Sequence, residues 1–278
     1  MHTRRIITSL IALPIFLTGI FWSHGDWFTA FVAFVAFAFA REELYSLMQA
    51  KKRVTLRLWQ NGLAFCFFFF TVYHNVYALV TLTFLFFWGS SLITNGKTVA
   101  GCRNEIATHA LLMLYLLFPL ACFVYLRSIP SGPMYLFFLL AVACFTDIGG
   151  FYGGKFLGKH KLAPIISPKK TWEGFVCGAL LSALIIGVTG YIQSRFDDQI
   201  LWLPLTHGYL EILLVTILMS IVGQIGDLCE SSLKRDAGIK DSGSALTGHG
   251  GFLDMMDAML WIGPTMFVYV FIRFKLLG

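Results

Sequence analysis

The stretch from Gly223 to Asp257, GQIGDLCESSLKRDAGIKDSGSALTGHGGFLDMMD, separates two long apolar runs near the C-terminus. Asp227 lies at the end of the first run, and Asp254 and Asp257 lie at the start of the second. Basic residues, a histidine and several glycines fill the space between them. Carboxylates at a membrane edge are costly and usually mark function. The stretch therefore predicts two membrane helices joined by a polar segment that carries chemistry.

The composition indicates a membrane protein. Of 278 residues, 57% are hydrophobic and 13% are charged, and the mean hydropathy is +0.74. Soluble domains carry about 25% charged residues, so a soluble fold is excluded. The apolar runs are continuous rather than alternating, which argues against a β-barrel. We predict an all-α, polytopic transmembrane helical bundle in one integral membrane domain, 1–278, with N-terminal helices in 1–130 and catalytic helices and cytoplasmic loops in 131–278.

Nine apolar runs approach the length of about 20 residues that a helix needs to cross a bilayer. The first run follows basic residues but has no small-residue cleavage site after it, so we expect it to stay as an uncleaved span. The approximate bounds of the nine predicted spans are 6–22, 27–48, 58–74, 76–94, 107–126, 134–152, 172–192, 210–230 and 253–272.

The lysines and arginines predict the orientation of these spans. With the N-terminus in the cytoplasm, most of the 21 basic residues fall on the cytoplasmic side. The positive-inside rule then gives an N-in, C-out protein, whose two long polar segments, 155–170 and 231–251, face the cytoplasm. The net charge of +6 is attributed to this asymmetry and to contact with membrane lipids, and not to nucleic acid. The basic residues on the opposite side are Arg127, Arg195, Arg273 and Lys275.

Three aspartates form a candidate metal site. Asp254 and Asp257 are three residues apart, so on one helix they share a face. If the two helix ends are antiparallel neighbours, Asp227 joins them. Hard cations such as Mg²⁺ take oxygen ligands of this kind. A structural salt-bridge cluster with Lys234 and Arg235 is the alternative.

Basic residues near these acids suit phosphate binding. Lys234, Arg235 and the Lys240–Asp241 pair lie in the same polar segment, and His249 lies among glycines as an acid–base group or a phosphate donor. Upstream, Ser167-Pro168 has the form of an N-cap followed by proline at the first helical position. A helix starting there would offer amides and the charges of Lys169 and Lys170 to a phosphate. A basic loop touching anionic headgroups is the alternative.

Asp147 lies inside an apolar run, near its predicted cytoplasmic end. Such an acid is either paired with a lysine or a member of the site. We expect Asp147 and the start of the predicted helix at Ser167 to share the site with the polar segment.

The order of these motifs resembles a known family. Ser231-Ser-Leu-Lys-Arg235, Lys240-Asp241 and His249-Gly-Gly-x-x-Asp254-x-x-Asp257 are similar to the signature of phosphatidate cytidylyltransferases, also called CDP-diglyceride synthases. Lys159-His-Lys-Leu-Ala-Pro-x-Ile-Ser-Pro-Lys-Lys-Thr-Trp-Glu-Gly174 resembles a second region of that family. The resemblance covers about 146–257. Two positions depart from the pattern: Met255 replaces an arginine, and Thr247 replaces a proline.

The resemblance implies a membrane nucleotidyltransferase that condenses CTP with phosphatidate to give CDP-diacylglycerol and pyrophosphate in phospholipid biosynthesis. It implies Mg²⁺, with a monovalent cation such as K⁺ as a further candidate, a homodimer, and a bacterial inner (plasma) membrane location with a cytoplasmic active site. The expected residues are catalytic Asp227, Lys234, Arg235 and Asp254; substrate-binding Ser167, Lys169, Lys170, Lys240, Asp241 and His249; and metal-binding Asp227, Asp254 and Asp257.

Two other functions stay open from the sequence. A CTP-dependent polyprenol kinase would use similar groups, whereas a CDP-alcohol phosphotransferase would need a DGxxAR stretch that the sequence lacks. A transporter would also carry intramembrane acids. Here, however, the acids and bases gather at the predicted cytoplasmic boundary instead of the bilayer midplane.

Overall fold

The computed structural model describes residues 17, 18, 20–22, 25–48, 54–73, 81–89, 102–195, 209–243 and 251–276. The chain divides into two compact units, Met1–Ile129 with Asp236–Met256, and Pro130–Arg235 with Asp257–Gly278. The prediction of one domain is not tested by this division. The elements are α1 (Gly25–Leu47), α2 (Val54–Val72), a π-helix (Leu85–Gly89), α3 (Cys102–Leu111), a second π-helix (Leu112–Leu117), α4 (Phe118–Ser128), α5 (Gly132–Phe156), β1 (Lys161–Ala163), β2 (Ser167–Thr171), α6 (Trp172–Arg195), α7 (Tyr209–Asp236), α8 (Phe252–Met256) and α9 (Met259–Leu276).

The chain is an α-helical integral membrane protein. Five helical segments in the described part are long and apolar enough to cross a membrane, and they coincide with the predicted runs from 107–126 onward. The outer faces of these helices keep large apolar side chains exposed, among them Leu180, Leu184 and Leu214. Exposed apolar surface of this extent suits lipid contact. The five segments are Ile106–Ser128, Gly132–Phe156, Trp172–Ile192, Tyr209–Asp236 and Phe252–Arg273.

Helices α1 and α2 form where spans 27–48 and 58–74 were predicted, but neither is among the five segments. Both carry polar residues that bond across the pair. Arg41 donates to the side chain of Asn61 at 2.6 Å and to the carbonyl of Arg57 at 3.1 Å. Gln60 donates to the hydroxyl of Tyr45 at 3.0 Å. These bonds satisfy polar groups that would otherwise be costly in an apolar setting.

The second unit is built on a close approach of α5 and α6. A Cβ added at Gly149 would lie 2.7 Å from the carbonyl oxygen of Cys177, and one at Gly178 would lie 2.8 Å from that of Thr146. Small residues let backbones approach in this way, and Gly178 is separated from Gly174 by the small-xxx-small spacing that permits such contact. Thr146 also donates to Ser220 on α7 at 2.8 Å, which ties a third helix to the pair.

This packing predicts that Gly178→Leu destabilises the protein. The added side chain has no room against Thr146, and overpacking of this kind typically costs about 1–3 kcal/mol. The measurement is the midpoint of thermal unfolding in detergent. Gly62→Ala on α2 is the control: an added Cβ there meets nothing within 4 Å, so no loss of stability is expected. Equal midpoints for the two variants would contradict the close packing.

The predicted helix start at Ser167 is wrong. Ser167–Thr171 is instead strand β2, which pairs antiparallel with β1 through Lys161↔Thr171 and Ala163↔Ser167. Pro168 is compatible with this strand because its fixed φ suits an extended edge as well as a first helical turn. The N-cap is Thr171, whose Oγ1 accepts a hydrogen bond from the amide of Gly174 at 3.1 Å. Helix α6 therefore begins at Trp172, four residues after Pro168, where its first residue was predicted.

The corrected helix start is testable with two alanine variants. Thr171→Ala removes the N-cap oxygen, which typically costs about 1 kcal/mol of stability. Ser167→Ala removes no cap and should leave the thermal midpoint in detergent unchanged. Thr171→Ser retains the oxygen and should recover most of the loss. A larger loss for Ser167→Ala than for Thr171→Ala would restore the original assignment.

Candidate functional site

An acidic cluster of three aspartates, Asp147, Asp227 and Asp257, lies in the second unit. Asp147 is exposed on α5, Asp227 is half-buried on α7, and Asp257 is half-buried in the turn before α9. The charges of Asp147 and Asp227 both act on Asp257, and those of Asp147 and Asp227 act on each other. Because like charges repel at short range, this arrangement favours a cation.

Lys170 supplies one such cation. Its Nζ lies 2.6 Å from Oδ2 of Asp227, with 26% of the lysine side chain and 32% of the aspartate side chain exposed. It also acts electrostatically on Asp147. The ion pair of Lys170 is with Asp227 and not with Asp147, so membership of Asp147 in a shared site stays a prediction.

The strand geometry separates the two lysines that were predicted to act together. Neighbouring residues of a strand point to opposite faces. Lys170 faces the acidic cluster, while Lys169 is exposed on the other side of β2. Ser167, at the start of the strand, is half-buried.

Lys234 and Arg235 make different contacts at the end of α7. Lys234 forms an ion pair with Glu230 one turn earlier, and the Glu230 side chain is fully buried. Arg235 is exposed, and its Nε donates to the carbonyl oxygen of Ile166 in the turn between β1 and β2, at 3.1 Å. The predicted salt-bridge alternative therefore exists at Lys234, though with Glu230 rather than with the aspartates.

Asp254 belongs to the first unit, so the structure does not group it with Asp227 and Asp257. Helix α8 ends at Met256, and Asp257 lies in the turn that follows, where its Oδ1 accepts from the amide of Ala258. The expectation that Asp254 and Asp257 share a face of one helix is therefore wrong. Aspartate favours such turns because its carboxylate competes for nearby backbone amides.

The remaining predicted residues lie in the same polar segment. Lys240 and Asp241 are both exposed, in the irregular stretch after α7. His249 lies outside the described residues. Their predicted roles in substrate binding stay predictions.

Within the described part of the chain, no group of three or more His, Cys, Asp or Glu side chains is placed to hold a metal ion. Mg²⁺ often takes only one or two carboxylates together with substrate phosphates. Asp227 and Asp257 offer that donor set, since their carboxylates interact within one unit. Both carboxylates have the oxygen chemistry that a hard divalent cation takes, and the metal site of three aspartates stays a prediction.

Glu43 is a buried acid that was not among the predicted site residues. This residue lies on α1 and is only 8% exposed, and it accepts hydrogen bonds from the amides of Phe252 and Leu253 at 2.9 Å each. The signal was present, because Glu43 stands inside the apolar run 27–48, as Asp147 stands inside its own run. A carboxylate within an apolar run is costly to bury, so both positions are candidates for a role beyond packing.

Comparison with known proteins identifies a match over nearly the whole chain. A model described as "Cytidylyltransferase family" matches residues 3–273. That range includes all of the candidate site residues.

Individual bacterial relatives match over shorter lengths. A phosphatidate cytidylyltransferase of Staphylococcus saprophyticus is 44% identical over 143 residues, which is 51% of this chain and 51% of the relative. One of Bacillus subtilis is 38% identical over 165 residues, 59% of this chain and 58% of the relative. One of Staphylococcus aureus is 40% identical over 134 residues, 48% of each chain. The matched region thus spans between about half and three fifths of these relatives.

Proposed function

The chain belongs to the cytidylyltransferase family, and from that premise we propose that it condenses CTP with phosphatidate to give CDP-diacylglycerol and pyrophosphate. The relatives that share the proposed activity by name are bacterial phosphatidate cytidylyltransferases. The observation that carries the proposal is the acidic cluster with Lys170 paired to Asp227. Carboxylates and a lysine side by side serve a reaction between phosphates, where charge on both reactants must be offset.

The proposed reaction is a substitution at phosphorus. A phosphate oxygen of phosphatidate forms a bond to the α-phosphorus of CTP, and the bond from that phosphorus to the oxygen bridging to the β-phosphate breaks. Pyrophosphate leaves with the electron pair. No side chain has to remove a proton, because phosphatidate is an anion at neutral pH. Catalysis then consists of positioning and charge stabilisation.

The basic residues of the second unit hold phosphates in this proposal. Lys170 is half-buried and fixed by Asp227, so little conformational entropy is lost when it binds a phosphate oxygen. Arg235 is exposed, and its Nε is held by the carbonyl of Ile166, so its guanidinium is proposed as a second phosphate-binding group. Lys234, Lys169, Ser167, Lys240, Asp241 and His249 are further proposed contributors.

Asp227 and Asp257 would hold Mg²⁺, and Asp254 is retained as a proposed ligand or support from the family resemblance. The ion would supply positive charge that stabilises the phosphates as the leaving group departs. A monovalent cation such as K⁺ is proposed as a second ion.

The proposed setting is the bacterial inner membrane, with the N-terminus in the cytoplasm and the C-terminus outside. The nine-span layout and the location of the active site at the cytoplasmic face belong to the same proposal. The distribution of lysines and arginines supports it. A water-soluble nucleotide and a membrane lipid can meet at that boundary. A homodimer is proposed from the family resemblance alone.

The test uses the purified chain in mixed detergent micelles with CTP and Mg²⁺. One reaction receives phosphatidate and a parallel reaction receives a polyprenol, and the lipid products are identified by mass spectrometry. We expect CDP-diacylglycerol from phosphatidate, no phosphorylated polyprenol, and no product from Asp254→Asn. A polyprenyl phosphate product would replace the proposal with the kinase alternative. Full turnover by Asp254→Asn would remove that residue from the site.

A further inference from the structure

We propose that Glu43 is a positioning residue for this reaction, which acts by fixing the segment that carries Asp254. The inference rests on the proposed function for its catalytic consequence. Its structural basis lies wholly in the first unit, where Glu43 on α1 meets Ser242 and the start of α8.

Glu43 is buried on α1, next to Arg41 and Glu42 in the sequence. Its neighbours Ala40 and Leu44 are at most 1% exposed, and Glu43 itself is 8% exposed. A carboxylate at such a position is costly unless hydrogen bonds compensate for lost water. Oε1 accepts from the amide of Phe252 at 2.9 Å, and Oε2 accepts from the amide of Leu253 and from Oγ of Ser242 at the same distance.

These bonds orient helix α8 at its first residues. The first amides of a helix have no partner within the helix. Glu43 takes those of Phe252 and Leu253, while Oδ2 of Asp254 takes that of Gly251 at 2.7 Å. Gly251 is the N-cap of α8 and Asp254 is its third residue. The bond between them is one of the two hydrogen bonds of a capping box. Glu43, on a different helix, provides the acceptors for the next two amides. The ring of Phe39 also stacks on that of Phe252, with centroids 5.2 Å apart.

Ser242 links Glu43 to Asp254 directly. Its Oγ lies 2.9 Å from Oε2 of Glu43 and 3.0 Å from Oδ2 of Asp254, and its amide donates to the same aspartate oxygen at 2.9 Å. A change at Glu43 therefore reaches Asp254 through one hydroxyl and through the helix start. Gly243 belongs to the same arrangement, since a Cβ there would lie 2.6 Å from Oε1 of Glu43.

The first test measures amide hydrogen exchange in the full chain in detergent. Glu43→Gln leaves a single acceptor oxygen for three donors, so we expect the amides of Phe252 and Leu253 to exchange about tenfold faster or more. Glu42→Gln is the matched control, because the neighbouring Glu42 pairs with Arg41 and Arg57 instead. Unchanged exchange at Phe252 and Leu253 in Glu43→Gln would overturn the proposed contact, whether or not the chain proves to be an enzyme.

The second test separates positioning from a general loss of stability. Glu43→Gln should lower kcat for CDP-lipid formation by about 10–100-fold, the range found for residues that orient a metal ligand, with little change in KM for CTP. Ser242→Ala removes only the hydroxyl between Glu43 and Asp254, so its effect on kcat should be smaller. The double variant should be no slower than the slower single variant, because the two changes act on one network. Additive losses, or turnover of Glu43→Gln equal to that of Glu42→Gln, would refute the positioning role.

If the unmodified chain forms no CDP-lipid, the proposed function fails while the hydrogen-exchange result still decides the contact. If it does form CDP-lipid and Glu43→Gln matches it in both kcat and exchange, the positioning role fails alone.

Discussion

Replacement of Asp227 by asparagine is expected to reduce CDP-lipid formation by about 10²–10³-fold or more, the loss typical when one fixed electrostatic group is removed from a site. Asp227 pairs with Lys170 at 2.6 Å and interacts with Asp147 and Asp257. The amide keeps the size of the side chain but removes its charge. Lys170 should therefore be held less firmly, and the affinity of the site for a cation should fall. The measurement is the initial rate with CTP, phosphatidate and saturating Mg²⁺.

Asp236→Asn is the matched control for this change. Asp236 is the last residue of the same helix and is exposed. Its replacement should leave the rate unchanged, and it should slightly favour the helix because a negative charge at a C-terminus is unfavourable. Similar rates for the Asp227 and Asp236 variants would show that the acidic cluster is not part of the reaction site.

The second large effect is expected at the buried ion pair of Glu230 and Lys234. Glu230→Gln removes the carboxylate that pairs with Lys234, whose side chain is only 11% exposed. Breaking a buried pair by removing one partner costs about 3–5 kcal/mol, so the thermal midpoint in detergent should fall sharply. The double variant Glu230→Gln/Lys234→Met removes both charges and should recover much of the stability.

Activity of the double variant then distinguishes two roles for Lys234. If Lys234 holds a phosphate, as the family resemblance implies, the stabilised double variant should stay inactive. If Lys234 serves only its partner Glu230, activity should return together with stability. The double variant therefore decides between the phosphate-binding prediction and the salt-bridge alternative.

Properties that depend on local sequence were the ones that could be predicted. A run of about 20 apolar residues is a local feature, and the five runs from 107–126 onward each coincide with a helix long and apolar enough to cross a membrane. The spacing of Gly174 and Gly178 permits close helix contact, but it does not reveal that α5 is the partner helix. In α1 and α2, polar residues within the apolar runs bond across the two helices, a pairing that no single run reveals.

Two kinds of feature could not be predicted. One depends on competition between alternative local structures, and the other depends on partners that are distant in the sequence. Ser167-Pro168 satisfies the rules for a helix start, but Thr171 also does, and the pairing of β2 with β1 selects Thr171. Asp254 and Asp257 have helical spacing, yet the turn at Asp257 ends α8 between them. Glu43 is about 200 residues away from its partners along the chain, so its contacts with them appear only in the folded protein.

Transfer of the α-phosphorus of CTP to phosphatidate is tested most directly with CTP labelled separately on its α- and γ-phosphorus. The purified chain, phosphatidate micelles and Mg²⁺ are incubated with each label, and the lipid and aqueous phases are separated. We expect the α label in the lipid and the γ label in aqueous pyrophosphate. Appearance of the γ label in the lipid, or of neither label, would contradict nucleotidyl transfer by this protein.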